Sequence, residues 1–87
     1  MYSKSAVVSN PVGLHARPAT FLIQKATEYN CGLWLEKGER RINAKSLLGV
    51  LSLGVGRGEE VTIIGDGEDE QAAVEALYDL ITSEFTE

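Results

Sequence analysis

The sequence predicts an α+β domain in which an antiparallel sheet carries helices on one face. Three observations predict it: short alternating apolar runs that read as strands, helical apolar periodicity between them, and turn residues at the junctions. In chain order the elements run βαββαβα, a pattern suited to an antiparallel sheet with its helices gathered on one side. The 87 residues, 44% of them apolar, suffice for one modest core and a single domain over residues 1–87.

Tyr2-Ser3-Lys4-Ser5-Ala6-Val7-Val8 reads as the first strand, closed by the turn residues Asn10-Pro11 and Gly13. The first helix is expected from Ala16 to Tyr29. Cys31-Gly32-Leu33-Trp34-Leu35-Glu36 alternates as a strand, with Lys37-Gly38-Glu39 as a turn and Arg40-Arg41-Ile42-Asn43 as its hairpin partner. Leu33 and Leu35 fall on one face and Trp34 on the other, where it is either a solvent-side residue or part of an interface. Ser46 opens a short helix through Leu53, followed by a turn punctuated by Gly54, Gly56 and Gly58. Glu60-Val61-Thr62-Ile63-Ile64 is the last strand. Ala73, Val74, Leu77, Leu80 and Ile81 then mark an amphipathic helix expected from Asp69 to Phe85.

The chain's only histidine lies in Gly13-Leu14-His15-Ala16-Arg17-Pro18-Ala19, immediately before the first helix. Pro18 has no N–H to donate and fits only the first turn of a helix. His15 therefore stands where unpaired N–H groups and the positive end of the helix dipole converge, a setting that attracts anions. Neutral imidazole is a nucleophile, and a phosphoryl group placed on it would have Arg17 and the helix N–H groups within reach.

Both helices carry more apolar surface than one sheet face consumes. At 100° per residue, Ala19, Leu22, Ile23 and Ala26 form one stripe of the first helix, while Arg17, Thr20, Phe21 and Gln24 fall opposite. In the short helix Val50 and Leu53 share one side and Leu47, Leu48 and Leu51 another. Either this helix is buried all round, or the three leucines form a docking patch. Ser46 also has two readings: a simple N-cap, or a phosphorylation site whose phosphate would gain from the helix dipole and from Lys45.

Composition excludes several classes. The net charge of −5 argues against nonspecific nucleic-acid binding. Most acidic residues lie from Glu59 onward, whereas Arg17, Lys25, Arg40, Arg41 and Lys45 precede it, so phosphate chemistry belongs to the first half. No run approaches the ~18 apolar residues of a membrane span, and no signal-peptide core opens the chain, so a cytoplasmic protein without membrane insertion is expected. One Cys and one His make a poor metal set, and neither metal nor cofactor is expected. A stand-alone hydrolase or transferase is disfavoured: no acidic partner lies near His15 in sequence, and no nucleotide-binding loop of the Gly-x-x-x-x-Gly-Lys type is present.

Taken together, Gly13-Leu14-His15-Ala16-Arg17-Pro18-Ala19 and Asn43-Ala44-Lys45-Ser46-Leu47-Leu48-Gly49-Val50-Leu51-Ser52-Leu53-Gly54 resemble HPr, the histidine-containing phosphocarrier of the phosphoenolpyruvate-dependent sugar phosphotransferase system. The resemblance spans essentially the whole chain. It implies an open-faced β-sandwich: a four-stranded antiparallel sheet in order 1-4-2-3 with three helices on one face. It implies that His15 accepts a phosphoryl group at Nδ1 from phosphorylated enzyme I and passes it to enzyme IIA proteins or domains, with Arg17 touching that group. Thr20, Phe21, Leu47, Leu48 and Leu51 would form the partner-docking surface, and the leucine patch becomes the favoured reading of the short helix. The Lys45-Ser46 segment resembles forms modified at the serine by an HPr kinase/phosphorylase, which then serve as corepressor with a catabolite-control transcription factor.

The resemblance thus implies a phosphocarrier, not a stand-alone enzyme, and a monomer is expected. Leucines at 47, 48 and 51 stand where many relatives carry isoleucine, methionine or phenylalanine, swaps that keep apolar volume. Arg40-Arg41 is more basic than expected of the hairpin, and Trp34 on the open face is unusual. A paralogue group lacks the histidine and keeps only the serine-based role; His15 sets this chain apart from it. Two other readings carry different expectations: a regulatory module acting through Ser46, and a carrier in a phosphorelay outside sugar import.

Overall fold

The computed structural model describes residues 1–11 and 13–83. Its elements are β1 (Tyr2–Val7), α1 (Ala16–Ala26), β2 (Gly32–Lys37), β3 (Arg40–Asn43), α2 (Leu47–Leu53), β4 (Glu60–Asp66) and α3 (Glu70–Thr82). The four strands form one antiparallel sheet in the order β1-β4-β2-β3, and the element order is βαββαβα. Both agree with the sequence reading.

Register sorts the side chains. Leu33, Leu35, Val61, Ile63 and Ala6 face the helices and are almost fully buried. Against them pack Ala19, Leu22 and Ala26 of α1, Val50 and Leu53 of α2, and Ala73, Val74, Leu77 and Ile81 of α3. This is a single contiguous core of small and branched apolar residues, the kind in which each lost methylene is felt. On the opposite face Ser3, Ile64, Trp34 and Asn43 line up across the four strands. Ile64 is only 4% exposed there, although alternation places it away from the helices. Beside it the Trp34 indole lies along its own strand over Gly32, where a Cβ would fall 2.5 Å from the ring. Trp34 is therefore half-buried by packing onto its own sheet.

α1 ends earlier than periodicity suggests. α1 stops at Ala26 rather than Tyr29, because Thr27 caps it and the next amides bond three residues back, Glu28 to Lys25 and Tyr29 to Ala26. α3 begins after Asp69, and its last described turn is capped by Ser83; Phe85, the expected end, lies outside the described residues.

Asp69 is the N-cap of α3, but its side chain makes no capping bond to its own helix. Its carboxylate accepts from the Asn30 N–H at 2.9 Å and the Cys31 N–H at 3.0 Å, joining the α1–β2 connection to the start of α3. The Asn30 N–H holds this carboxyl below the usual carboxylate range, with contacts from Cys31 adding to the effect. Burial, reinforced by Asp69, pushes the Cys31 thiol up to about 11, so it stays protonated and inert at neutral pH. On the far edge, Lys4 Nζ sits 2.8 Å from Glu75 and 4.1 Å from the centre of the Tyr78 ring, fastening β1 to α3.

A carboxylate held below its unfolded value stabilises the fold above that value and loses the contribution as pH falls through the folded one. Asp69→Asn should therefore lower the melting temperature at pH 7, with the gap to wild type closing as pH falls below the ordinary carboxylate range. Thermal unfolding followed by circular dichroism at several pH values checks this.

Candidate functional site

His15 is the N-cap of α1, in extended conformation (φ −95°, ψ −162°), and its imidazole makes no capping hydrogen bond. The side chain is exposed. The helical ladder begins with the Ala19 N–H bonding the His15 carbonyl at 2.9 Å. The amides of Ala16 and Arg17 thus precede the ladder, while Pro18 supplies no N–H and buries its ring. No acidic side chain lies in this first turn. The result is a positive helix end with an uncommitted imidazole at its tip.

What holds this tip is a lap between two loops. The Leu14 N–H bonds the Val55 carbonyl at 2.9 Å, and the Gly13 N–H bonds the Asn10 carbonyl at 3.0 Å. Gly13 adopts φ +74°, and a Cβ there would meet the Val55 oxygen at 2.7 Å and the Gly56 Cα at 2.9 Å. Only glycine suits both the positive φ and that approach. Leu14 and Val55 are buried, so the lap is anchored in the core on both sides.

Val55 in turn follows α2, whose end is fixed by cations from the β2–β3 hairpin. Lys37 Nζ donates to the Gly54 carbonyl at 2.9 Å and pairs with Glu59 at 2.9 Å. Arg40 donates to the Ser52 carbonyl and, at 3.2 Å, to its hydroxyl. Cations at a helix C-terminus complement its exposed carbonyls. Sequence reasoning registered Arg40 only as excess charge, because a hairpin reaching a helix end is a tertiary contact. Glu59 sits below the usual carboxylate range, held there by the Gly56 N–H and by Lys37.

Of the expected docking residues, Phe21 is 39%, Leu47 42% and Leu48 80% exposed, so the apolar excess of both helices does reach the surface. Thr20 is exposed too, its hydroxyl donating back to the Ala16 carbonyl at 2.8 Å. Leu51 is the exception in degree: it is half-buried and packs against the core. α1 and α2 pack against each other, which puts the two sets on neighbouring helices. Val50 and Leu53 are buried, as the two-sided reading of α2 requires.

Ser46 is the N-cap of α2, accepting the Gly49 N–H at 3.1 Å. The sequence expects Lys45 to assist a phosphate there, but its ammonium is engaged elsewhere. Lys45 Nζ turns the other way and donates to the carbonyls of Tyr29 at 2.8 Å and Cys31 at 2.9 Å. Two backbone carbonyls of the α1–β2 connection thus take up the ammonium. Among the described residues no group of three His, Cys, Asp or Glu side chains is placed to hold a metal ion, and no helix is long and apolar enough to cross a membrane.

The fold and this site define a small open-faced α+β domain with a surface histidine at a helix tip. The family described as "PTS HPr component phosphorylation site" matches residues 2–83. The HPr-like protein Crh of Halalkalibacterium halodurans is 40% identical over 84 residues, covering 97% of this chain and 100% of that protein. The solved phosphocarrier protein HPr of Bacillus anthracis superposes with a TM-score of 0.89 at 38% identity, over 92% of this chain and 95% of its own. Crh of Bacillus subtilis, solved as a swapped dimer, gives a TM-score of 0.79 at 40% identity over 100% of both chains. The chain belongs to the HPr family of phosphocarrier proteins. The dimeric relative counts against the expectation of a monomer.

Ser46→Ala should cost about 1 kcal/mol of stability through the lost N-cap, whereas Ser46→Asp, which keeps an acceptor, should cost less. Urea denaturation of the two variants beside wild type measures the difference.

Proposed function

We propose that this chain carries a phosphoryl group on His15, taking it from phosphorylated enzyme I and delivering it to enzyme IIA proteins or domains in sugar uptake. The observation that carries the reading is the exposed, uncommitted His15 at the tip of an 11-residue helix, in a chain of this family. A neutral imidazole nitrogen, Nδ1 by the family resemblance, attacks phosphorus. The N–P bond forms as the bond to the donor breaks, and the bonding pair leaves with the donor. Arg17 and the amides at the start of α1 stabilise the phosphoryl oxygens without forming a closed site. The partner enzymes supply the remaining groups, so the chain acts as a covalent carrier in the cytoplasm rather than as a stand-alone enzyme.

Docking falls to Thr20, Phe21, Leu47, Leu48 and Leu51. A small apolar patch with a polar surround suits brief contacts with several partners, because a modest interface releases quickly. A second role is favoured by the likeness to Crh, the Bacillus subtilis catabolite repression HPr. In this reading an HPr kinase/phosphorylase phosphorylates Ser46, and the product acts as corepressor with a catabolite-control transcription factor. The phosphate adds about 1.5–2 negative charges next to Leu47 and Leu48, and so opposes docking of an anionic phosphodonor.

Intact mass after incubation with phosphoenolpyruvate, Mg²⁺ and enzyme I tests the main reading. One acid-labile phosphate adduct is expected on wild type and none on His15→Ala. No adduct, with an enzyme I that charges another HPr, would overturn it.

A further inference from the structure

Nearly all the cations of this chain have a partner within it. Lys4 pairs with Glu75, Lys25 with Glu28, Lys37 with Glu59 and Arg41 with Glu36. Arg40 is bound to Ser52, and Lys45 to the Tyr29 and Cys31 carbonyls. Arg17 is engaged as well. Arg57 differs: it is exposed and makes no hydrogen bond or ion pair among the described residues.

Its place is fixed although its side chain is not. Arg57 and Gly58 are the central residues of a turn closed by the Glu59 N–H on the Gly56 carbonyl at 3.1 Å. The Glu59 carboxylate also accepts the Gly56 N–H at 2.6 Å. On one side the Gly58 N–H bonds the Val8 carbonyl at 2.8 Å; on the other, Val55 and Gly56 lie against Gly13 and Leu14, next to His15. A hydrogen-bonded turn thus places Arg57 one residue from Gly56, whose backbone lies against the histidine loop. The chain as a whole carries −5, which repels an anionic partner at long range.

We propose that Arg57 is a partner-recognition residue of phosphoryl transfer, pairing with a carboxylate on the docked protein partner beside its phosphoryl-bearing group. This rests on the phosphocarrier reading above. Arg17 shares the first turn of the helix that His15 caps and so serves the phosphoryl group. Arg57 stands on a separate turn, behind Val55 and Gly56 where they meet Gly13 and Leu14, so it is assigned to the partner's flanking surface. A rim charge of this kind acts on encounter rate and salt dependence rather than on the chemical step.

Transfer from phosphorylated enzyme I to wild type, Arg57→Gln, Arg57→Lys and Arg57→Glu, measured across carrier and salt concentration, tests this. At low salt Arg57→Gln should raise KM about three- to tenfold with kcat within about twofold, and Arg57→Glu should raise it further. Arg57→Lys should keep most of the wild-type value, and the differences should vanish at about 0.5 M salt. A wild-type carrier that is charged normally, with Arg57→Gln matching it in KM and salt dependence, would overturn this inference alone. A fall in kcat at unchanged KM would also overturn it, by assigning Arg57 to the phosphoryl group. A wild-type chain that enzyme I does not charge would overturn the phosphocarrier reading and this one with it.

Discussion

The hydrogen bond from the Leu14 N–H to the Val55 carbonyl, with Gly13 pressed against the same strip of backbone, decides where His15 stands. It joins the residues entering α1 to the residues leaving α2. Both partners are buried, so the bond is shielded from competing water and its loss would strand two backbone groups. A histidine placed on an unanchored loop would sample many orientations, and each transfer would have to reorder it. Here the ordering is done in folding, and only the exposed imidazole is left to the partner.

A chain of supports runs back from that bond. Val55 is placed by the end of α2, and that end is gripped by Lys37 and Arg40 from the β2–β3 hairpin. Glu59 closes the following turn and holds Lys37 in the same contact set. The sheet therefore positions the site from beneath without lending it any side chain. The arrangement also explains how one surface can combine a charged tip and an apolar patch. The helix that bears the leucines is the helix whose C-terminal end anchors the histidine loop.

Much of this was legible in the sequence because it follows from local rules. Alternation in Leu33-Trp34-Leu35 assigned the faces of β2, and the opposing sets Val50 and Leu53 against Leu47, Leu48 and Leu51 divided α2, although Leu51 is half-buried against the core. Pro18 after His15 located the start of α1. What escaped was tertiary. Ile64 alternates outward yet is buried beside Trp34, because an indole can lie down over Gly32. Lys45 adjoins Ser46 in sequence but spends its charge on Tyr29 and Cys31. Asp69 stands at the start of α3 as expected, yet its carboxylate clasps the connection entering β2 rather than its own helix. The two charged side chains choose partners remote in sequence, which spacing along the chain does not encode.

The central claim is that the start of α1 is the seat of the phosphoryl group. Backbone ¹H–¹⁵N spectra of the protein before and after charging by enzyme I test it most directly. The account predicts the largest amide shifts at His15, Ala16 and Arg17, smaller ones along the Leu14–Val55 lap, and none in the sheet. Shifts centred on the Ser46 end of α2, or spread through the sheet with Ala16 and Arg17 unmoved, would contradict it.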